Sequence, residues 1–417
     1  MDEVVAYVDQ NRSRLIELTR ELVRRPSENK PPNGSERACQ EYIADVLRAA
    51  GWDPELYDIR AAPGIAEHPI FQAGREYSGR PNLGARRKGA GGGRSLLLSG
   101  HIDTVPGGTQ PWTRDPFGGE VDGNRIYGRG SNDMKAGVAI NLFIAEALSK
   151  LGLRLRGDLV FESVIDEEFG GVNGTLAGRL RGFNADAAII SEPSFLRVCP
   201  AQRGGRIVHI TFRSSGGILT EGKFPAGVIE QLTRFLAAVP EFAEARKKKA
   251  RVHEFYAHHT DPVPVSVTKI FTAPWGTGEP ITTPEECRVE LYWQLMPGET
   301  KDEVEREFFD WFDRLFEEKP QVEMPIRWLP GSAIAKFEPL VTELSACAES
   351  VLGAAPPVVG IEGPCDMYVF HQASIPAVLW GPRGSNTHAA DEYVEIDSLV
   401  DAAKVLLLFV CKWCGVQ

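Results

Sequence analysis

Short apolar runs bounded by glycine, proline or charge recur at residues 95–99, 159–164, 187–191 and 376–380, and beyond each stands a histidine or a carboxylate. Runs this short and this apolar read as strands buried on both faces of a sheet. Elsewhere apolar residues recur every three or four positions, at 5–24, 35–50, 134–150, 338–353 and 396–412, the spacing of helices with one face turned inward. Such alternation predicts an α/β fold, a mostly parallel sheet covered by helices. Open sheets of this kind place their sites beyond the carboxyl ends of the strands, where His101, Glu168, Glu192 and His388 fall.

A chain of 417 residues is too long for one compact core, and the pattern changes in its middle. Strand 207–213, helix 225–248, strands 265–271 and 287–295, helix 301–317 and strand 322–328 follow in the β-α-β-β-α-β order of a ferredoxin-like α+β unit. We therefore expect an inserted domain at residues 206–328, with residues 1–205 and 329–417 forming the domain around it. Residues 58–94, rich in Gly, Pro and Arg, show no periodicity and read as a long surface loop or a rim over a site.

The residues after the strands have a common chemistry. His101 and His388 with Asp133, Glu168 and Glu192 make two imidazoles and three carboxylates, a mixed nitrogen and oxygen set suited to one or two divalent ions such as Zn, Mn or Co, with one carboxylate able to bridge. Each segment alone has a plainer explanation. An HxD pair is commonplace, Asp133 ahead of an apolar helix could be an N-cap, and the acidic pair Glu167 and Glu168 could be a solvated turn. Their joint occurrence is what argues for a metal site. In an extended chain adjacent side chains diverge, so Glu168 can face an ion while Glu167 faces the reacting water and carries its proton. By the same alternation Asp103 shares a side with His101 and can accept the other ring N–H, fixing the metal-facing tautomer.

Charge and composition exclude other classes. The net charge of −11 offers no basic face for nucleic acid, and the one basic run, Arg246 to Lys249, reads as a solvated helix end. The N-terminal stretch is amphipathic and acidic rather than a secretory signal, and the longest apolar run, residues 405–411, is too short to span a bilayer, so a cytoplasmic protein acting on a small molecule is expected, without membrane attachment. Seven scattered cysteines form no disulfide framework. Cys411 and Cys414 read as part of a helix face, and Cys365 or Cys199 lacks the context of a cysteine nucleophile.

The segments GHIDTVP, GRGSNDMKAG, DEEFGG, SEPS and NTHAADEYV together resemble the metallopeptidase family that includes acetylornithine deacetylase, succinyl-diaminopimelate desuccinylase, aminoacylase and carboxypeptidase G. The resemblance implies that His101 and Glu192 hold one ion, Glu168 and His388 the other, and Asp133 bridges them. It implies Glu167 as general base and acid, Asp103 as the residue orienting His101, and a cis peptide between Asp133 and Met134. It also implies that the inserted domain is a lid or dimerisation domain, hence a homodimer or larger assembly, and that the reaction is hydrolysis of a carbon–nitrogen bond.

The lid departs from the family's pattern. Ser215 stands where relatives carry a histidine, no arginine precedes the Pro297-Gly298-Glu299 turn, and Tyr368 replaces an arginine after Asp366-Met367. Lost cations mean lost carboxylate clamps. Either other lid residues take over, with His209, His253, His258 and His259 available, or the changes point to a flat aromatic substrate, as in the 5-nitroanthranilate aminohydrolase member, with Ser215, Tyr292, Trp293 and Tyr368 as substrate contacts and Trp275 as a further wall. The alternatives are an N-acyl-amino-acid deacylase of the acetylornithine or succinyl-diaminopimelate type, a carboxypeptidase, or a binding member without catalysis.

Overall fold

The computed structural model describes residues 2–214, 217–218, 227–272 and 282–417. The chain forms two compact units, Met1–Ala201 with Ala333–Ile361 and Cys365–Gln417, and Gln202–Ser332 with Glu362–Pro364.

In the first unit the principal strands lie in the order Val198–Gln202, Ala377–Leu379, Ala188–Ile190, Leu96–Ser99, Leu159–Ser163, Asn82–Arg87 and Glu55–Tyr57. The four apolar runs pair in parallel at the centre. The flanking strands pair antiparallel, so the sheet is mixed and its parallel character is confined to the middle. The physical reason is coverage. Central strands are buried on both faces and read as nearly continuous apolar sequence, with Glu162 the one charged member, whereas Asn82–Arg87 carries a glycine and two arginines and left no such signal in residues 58–94.

Helices Arg37–Ala49, Ala136–Lys150, Pro339–Leu352 and Ile396–Cys414 form where periodicity places them. Ala136–Lys150 buries 12 of its 15 residues, which makes it an internal helix rather than a surface one. The single N-terminal helix expected over 5–24 is two, Asp2–Gln10 and Arg12–Val23. Asn11 breaks it, leaving helical geometry while its side-chain amide donates to the Tyr7 carbonyl at 2.8 Å.

The second unit has strands Val265–Phe271, Glu286–Leu295, Gly204–Arg213 and Gln321–Glu323 side by side, all antiparallel, with helices Val228–Lys249 and Lys301–Phe312. Numbered along the chain, that is the 4-1-3-2 order of the split βαβ arrangement. The last strand is shorter than expected. Helix Lys301–Phe312 opens on a reciprocal cap between Thr300 and Glu303.

Two expectations fail in this unit. Trp293 is not a substrate wall: it is fully buried, its ring stacked on Phe308 at 5.3 Å and meeting Phe242 in a T-shaped contact at 5.6 Å, so the indole is spent in the core. Arg246 is not a solvated helix end. It is buried and its guanidinium donates to Glu299 at 2.7 Å, Glu307 at 3.0 Å and the Gln294 carbonyl at 3.1 Å. Helical periodicity turns Arg246 inward while Lys247, Lys248 and Lys249 remain outside. No helix among the described residues is long and apolar enough to cross a membrane.

Candidate metal centre

The parallel strands deliver the site residues to one place. Beyond Leu96–Ser99 the chain keeps pairing, with Ile102 N–H donating to the Val164 carbonyl and Val164 N–H to the Gly100 carbonyl, both at 2.9 Å. This carries His101 and Asp103 alongside the turn that holds Glu167 and Glu168. Glu192 follows Ala188–Ile190, and Gly137 at the start of the internal helix lets the Ser191 carbonyl approach so closely that a Cβ there would sit 1.9 Å from its oxygen. Asp133 ends the loop before that helix, and the Asp133–Met134 peptide is cis, as the resemblance implies.

The five side chains meet as two groups that share Asp133. In one, His101 Nε2 lies 3.1 Å from Asp133 Oδ1 and 3.4 Å from Glu192 Oε1. In the other, His388 Nε2 lies 2.9 Å from Glu168 Oε2 and 3.4 Å from Asp133 Oδ2. Within each group one ligand atom per residue lies within 4.8 Å of the others. One oxygen of Asp133 thus faces each group. His101 is buried and His388 exposed, the latter on a left-handed backbone position (φ 62°) that a non-glycine residue seldom adopts.

The electrostatics fit a cation. Burial, then the Asp133 carboxylate, push Glu168 up to about 7 and Glu192 up to about 8. Glu167 is held well above the usual carboxylate range by burial and by Glu192, Asp366 and Glu168, against the pull of His101. Burial opposes charge on the imidazoles, yet Glu192 and Asp133 hold His101 well above its ordinary value, and Asp133 and Glu168 raise His388 to about 11. Asp133 is lowered despite its burial because both imidazoles face it. Positive charge between these acids would relieve their mutual repulsion and displace the protons they share with the histidines. Affinity for Zn2+ or Mn2+ should therefore rise from about pH 6 to about pH 8, because the competing protons are bound more tightly than on ordinary side chains. Calorimetric titrations at the two ends check this, and equal affinities would contradict it.

Asp103 does something other than the spacing implies. His101 Nδ1 lies 2.9 Å from the Asp103 backbone carbonyl and 3.6 Å from its carboxylate, so the carbonyl sets the tautomer that leaves Nε2 toward the acids. The carboxylate instead accepts the backbone N–H of Glu167 at 3.0 Å and of Glu168 at 3.1 Å, together with the Asn29 amide at 2.9 Å. Asp103 therefore anchors the peptide that bears the proposed proton carrier.

A second brace comes from the stretch that reads as a loop. Tyr77 donates to Asp166 Oδ2 at 2.7 Å, Asn173 Nδ2 donates to the Tyr77 hydroxyl at 2.6 Å, and Arg75 donates to the Phe169 carbonyl at 3.2 Å. Asp166, at φ 68°, immediately precedes Glu167. Residues 75–80 are thus neither plain surface nor rim but a support under the turn that bears Glu167 and Glu168. Tyr77→Phe should slow turnover about tenfold and cost roughly 1 kcal/mol of stability, the usual worth of one buried hydrogen bond. A kcat unchanged in a stably folded variant would contradict the brace.

Of the other expected contacts, Ser215 and Trp275 lie outside the described residues. Tyr292 is half-buried in the second unit, and Tyr368 is buried in helix Met367–Gln372 of the first, which removes it from solvent as a ready substrate contact. Sequence reasoning missed Asn29, Tyr77, Asp166, Arg129 and Glu392. Arg129, Asp166 and Glu392 carried a signal, their places in the GRGSNDMKAG, DEEFGG and NTHAADEYV segments; Asn29 and Tyr77 carried none and act through contacts between distant parts of the chain. Burial pushes the Cys365 thiol well above its ordinary value, the opposite of what a thiolate nucleophile requires.

Residues 97–412 match the profile of peptidase family M20/M25/M40. The chain is 27% identical over 442 residues to the N-formyl-4-amino-5-aminomethyl-2-methylpyrimidine deformylase of Bacillus subtilis, covering 98% of this chain and 96% of that one. It is 28% identical over 414 residues to the succinyl-diaminopimelate desuccinylase of Methylocella silvestris, covering 94% and 95%. Among solved structures, human carnosine dipeptidase 1 has the same fold, with a TM-score of 0.74, 18% identity and 99% of both chains covered.

Proposed function

This chain belongs to peptidase family M20/M25/M40 and is a hydrolase of carbon–nitrogen bonds, and from that premise we propose that it cleaves the amide of a small N-formylated or short N-acylated amine. The observation that carries the reading is the pair of ligand groups sharing Asp133 with Glu167 beside them. His101, Asp133 and Glu192 would hold one divalent ion and Asp133, Glu168 and His388 a second. Ions held there would polarise the amide carbonyl and bring the pKa of water toward neutrality.

The rest falls to the chain's own groups. Glu167 takes the proton of the attacking water and returns it to the leaving nitrogen, a task suited to a carboxyl whose proton affinity is raised above the ordinary range by burial. Asp103, through the peptide N–H groups of Glu167 and Glu168, keeps that carboxyl in place. Retention of Glu167 beside the complete ligand set argues against a binding member without catalysis.

The substrate class rests on two supports. The deformylase relative is matched over nearly its whole length, and a formyl carbon is the least hindered and most electrophilic of simple amides, which lowers the demand on the lid donor that Ser215 replaces. Hydrolytic deamination of an aromatic amine of the 5-nitroanthranilate type keeps, among the described residues, only Tyr292 as a candidate wall now that Trp293 is spent in the core and Tyr368 is buried. On the same reading residues 1–205 and 329–417 are the catalytic domain and residues 206–328 a lid that pairs with a second copy, an arrangement supported by exposed Ile270 and Phe271 on the edge strand Val265–Phe271. A cytoplasmic site of action accords with a small-molecule substrate.

The test is the purified protein loaded in turn with Zn2+, Mn2+ and Co2+ and assayed against an N-formyl aminomethylpyrimidine, N-acetylornithine, N-succinyl-diaminopimelate, a dipeptide and 5-nitroanthranilate. The highest kcat/KM is expected on the formamide. Turnover confined to nitroanthranilate would replace the amide reading.

A further inference from the structure

Glu392, like Asp103, is a buried acid near the site whose hydrogen bonds go mostly to another loop's backbone. It is fully buried in the segment that also carries His388. Its Oε1 accepts the N–H of Asn132 at 3.0 Å and of Asp133 at 3.1 Å, while Oε2 accepts the N–H of Gly130 at 3.1 Å and Arg129 Nη1 at 2.5 Å. One carboxylate thus holds three peptide groups of the loop that bears Asp133. Arg129 in turn donates to the Pro106 carbonyl at 3.3 Å, so the pair is itself tied down.

A second tie runs the same way. Asn132 Nδ2 donates to the Thr387 hydroxyl at 2.8 Å, and Gly384 lies so close that a Cβ there would be 2.1 Å from Asn132 Oδ1. The Asp133 loop and the His388 segment are therefore cross-linked twice. At its other end the loop is anchored independently: Lys135 Nζ donates to the Leu22 and Arg25 carbonyls at 3.0 and 2.8 Å, and His101 N–H meets Met134 Sδ at 3.2 Å. These contacts tie Asp133 to the His101 side without any help from Glu392.

We infer that Glu392 is a positioning residue that fixes the spacing of Asp133 and His388, and so sets the affinity of the Asp133, Glu168 and His388 group for its ion while leaving the His101, Asp133 and Glu192 group nearly untouched. The inference rests on the two-ion reading given above. Asymmetry is its signature, because a residue that merely stabilised the fold would weaken both groups alike.

The experiment strips the full-length protein with chelator and titrates it calorimetrically with Mn2+. Wild type is compared with Glu392→Gln and Thr387→Val, and His388→Ala identifies which binding event belongs to the second group. Glutamine keeps an acceptor for one side but turns N–H groups toward Arg129 or the loop. It should weaken the second event 10- to 100-fold, the range found when groups supporting metal ligands are altered, and leave the first within about twofold. Thr387→Val should shift the second event in the same direction by about two- to fivefold, and it decides the matter if Glu392→Gln does not fold. A second event unchanged in a folded variant, or equal loss in both events, overturns the inference. Wild type that takes up only one ion overturns the two-ion reading itself, and the inference with it.

Discussion

Glu167→Gln will still take up its divalent ions but will turn over its amide substrate about 100- to 10,000-fold more slowly, the range that a positioned general base contributes. Glutamine has nearly the shape of glutamate, and the backbone N–H that Asp103 holds is unaffected, so the turn keeps its geometry. What disappears is the ionisable carboxylate that, on the proposed mechanism, accepts the proton of water and later returns it to nitrogen. Glu167 is not a member of either ligand group, so the ion count should equal that of wild type. Metal analysis together with kcat and KM on the best formamide or acyl substrate checks the prediction. An enzyme retaining more than a tenth of its kcat would remove Glu167 from the proton-transfer role, and one that loses ions instead would make it a ligand.

The second large effect is expected at Asp133. Asp133→Ala takes one ligand from both groups at once, so the protein should retain at most one ion and lose at least about a thousandfold in activity, since metal assistance is worth several kcal/mol. The same change leaves His101 and His388 without the carboxylate between them. Their raised pKa values should fall, which imidazole resonances followed by NMR across the titration would report. His388→Ala, by contrast, removes a ligand from one group only. Should Asp133→Ala retain both ions at wild-type affinity, Asp133 does not bridge.

Much of this architecture is legible in sequence for a physical reason. A strand covered on both faces is mostly apolar, so Leu96–Ser99, Leu159–Ser163, Ala188–Ile190 and Ala377–Leu379 announce themselves, the buried Glu162 being tolerated through its pairing with Arg179, and the side chains just beyond them inherit a shared location. The 4-1-3-2 sheet of the second unit is similarly visible as alternating strands and helices with distinct periods. Features decided by a partner far along the chain are not legible. The carboxylate of Asp103 turns to the Glu167 and Glu168 amides rather than to the ring of His101, which only the register of two strands determines. Asn82–Arg87 hides behind its arginines because it pairs antiparallel away from the centre, and Tyr77 looks like any loop tyrosine until Asp166 is beneath it. Arg246 shows the same limit in reverse: a basic run reads as solvated, and only the fold reveals Glu299 and Glu307 around one of its members.

The two ligand groups draw on the chain unequally. His101, Asp133 and Glu192 all precede the second unit, whereas His388, with Glu392 behind it, follows it. During synthesis from the amino terminus a ribosome would therefore release every donor of the first group before the second unit had begun to fold. The second group could be assembled only when the closing segment emerged. Because Ala377–Leu379, from that same closing segment, pairs beside Ala188–Ile190, the strand whose end carries Glu192, the first group too would gain its final geometry only at the last step of biogenesis.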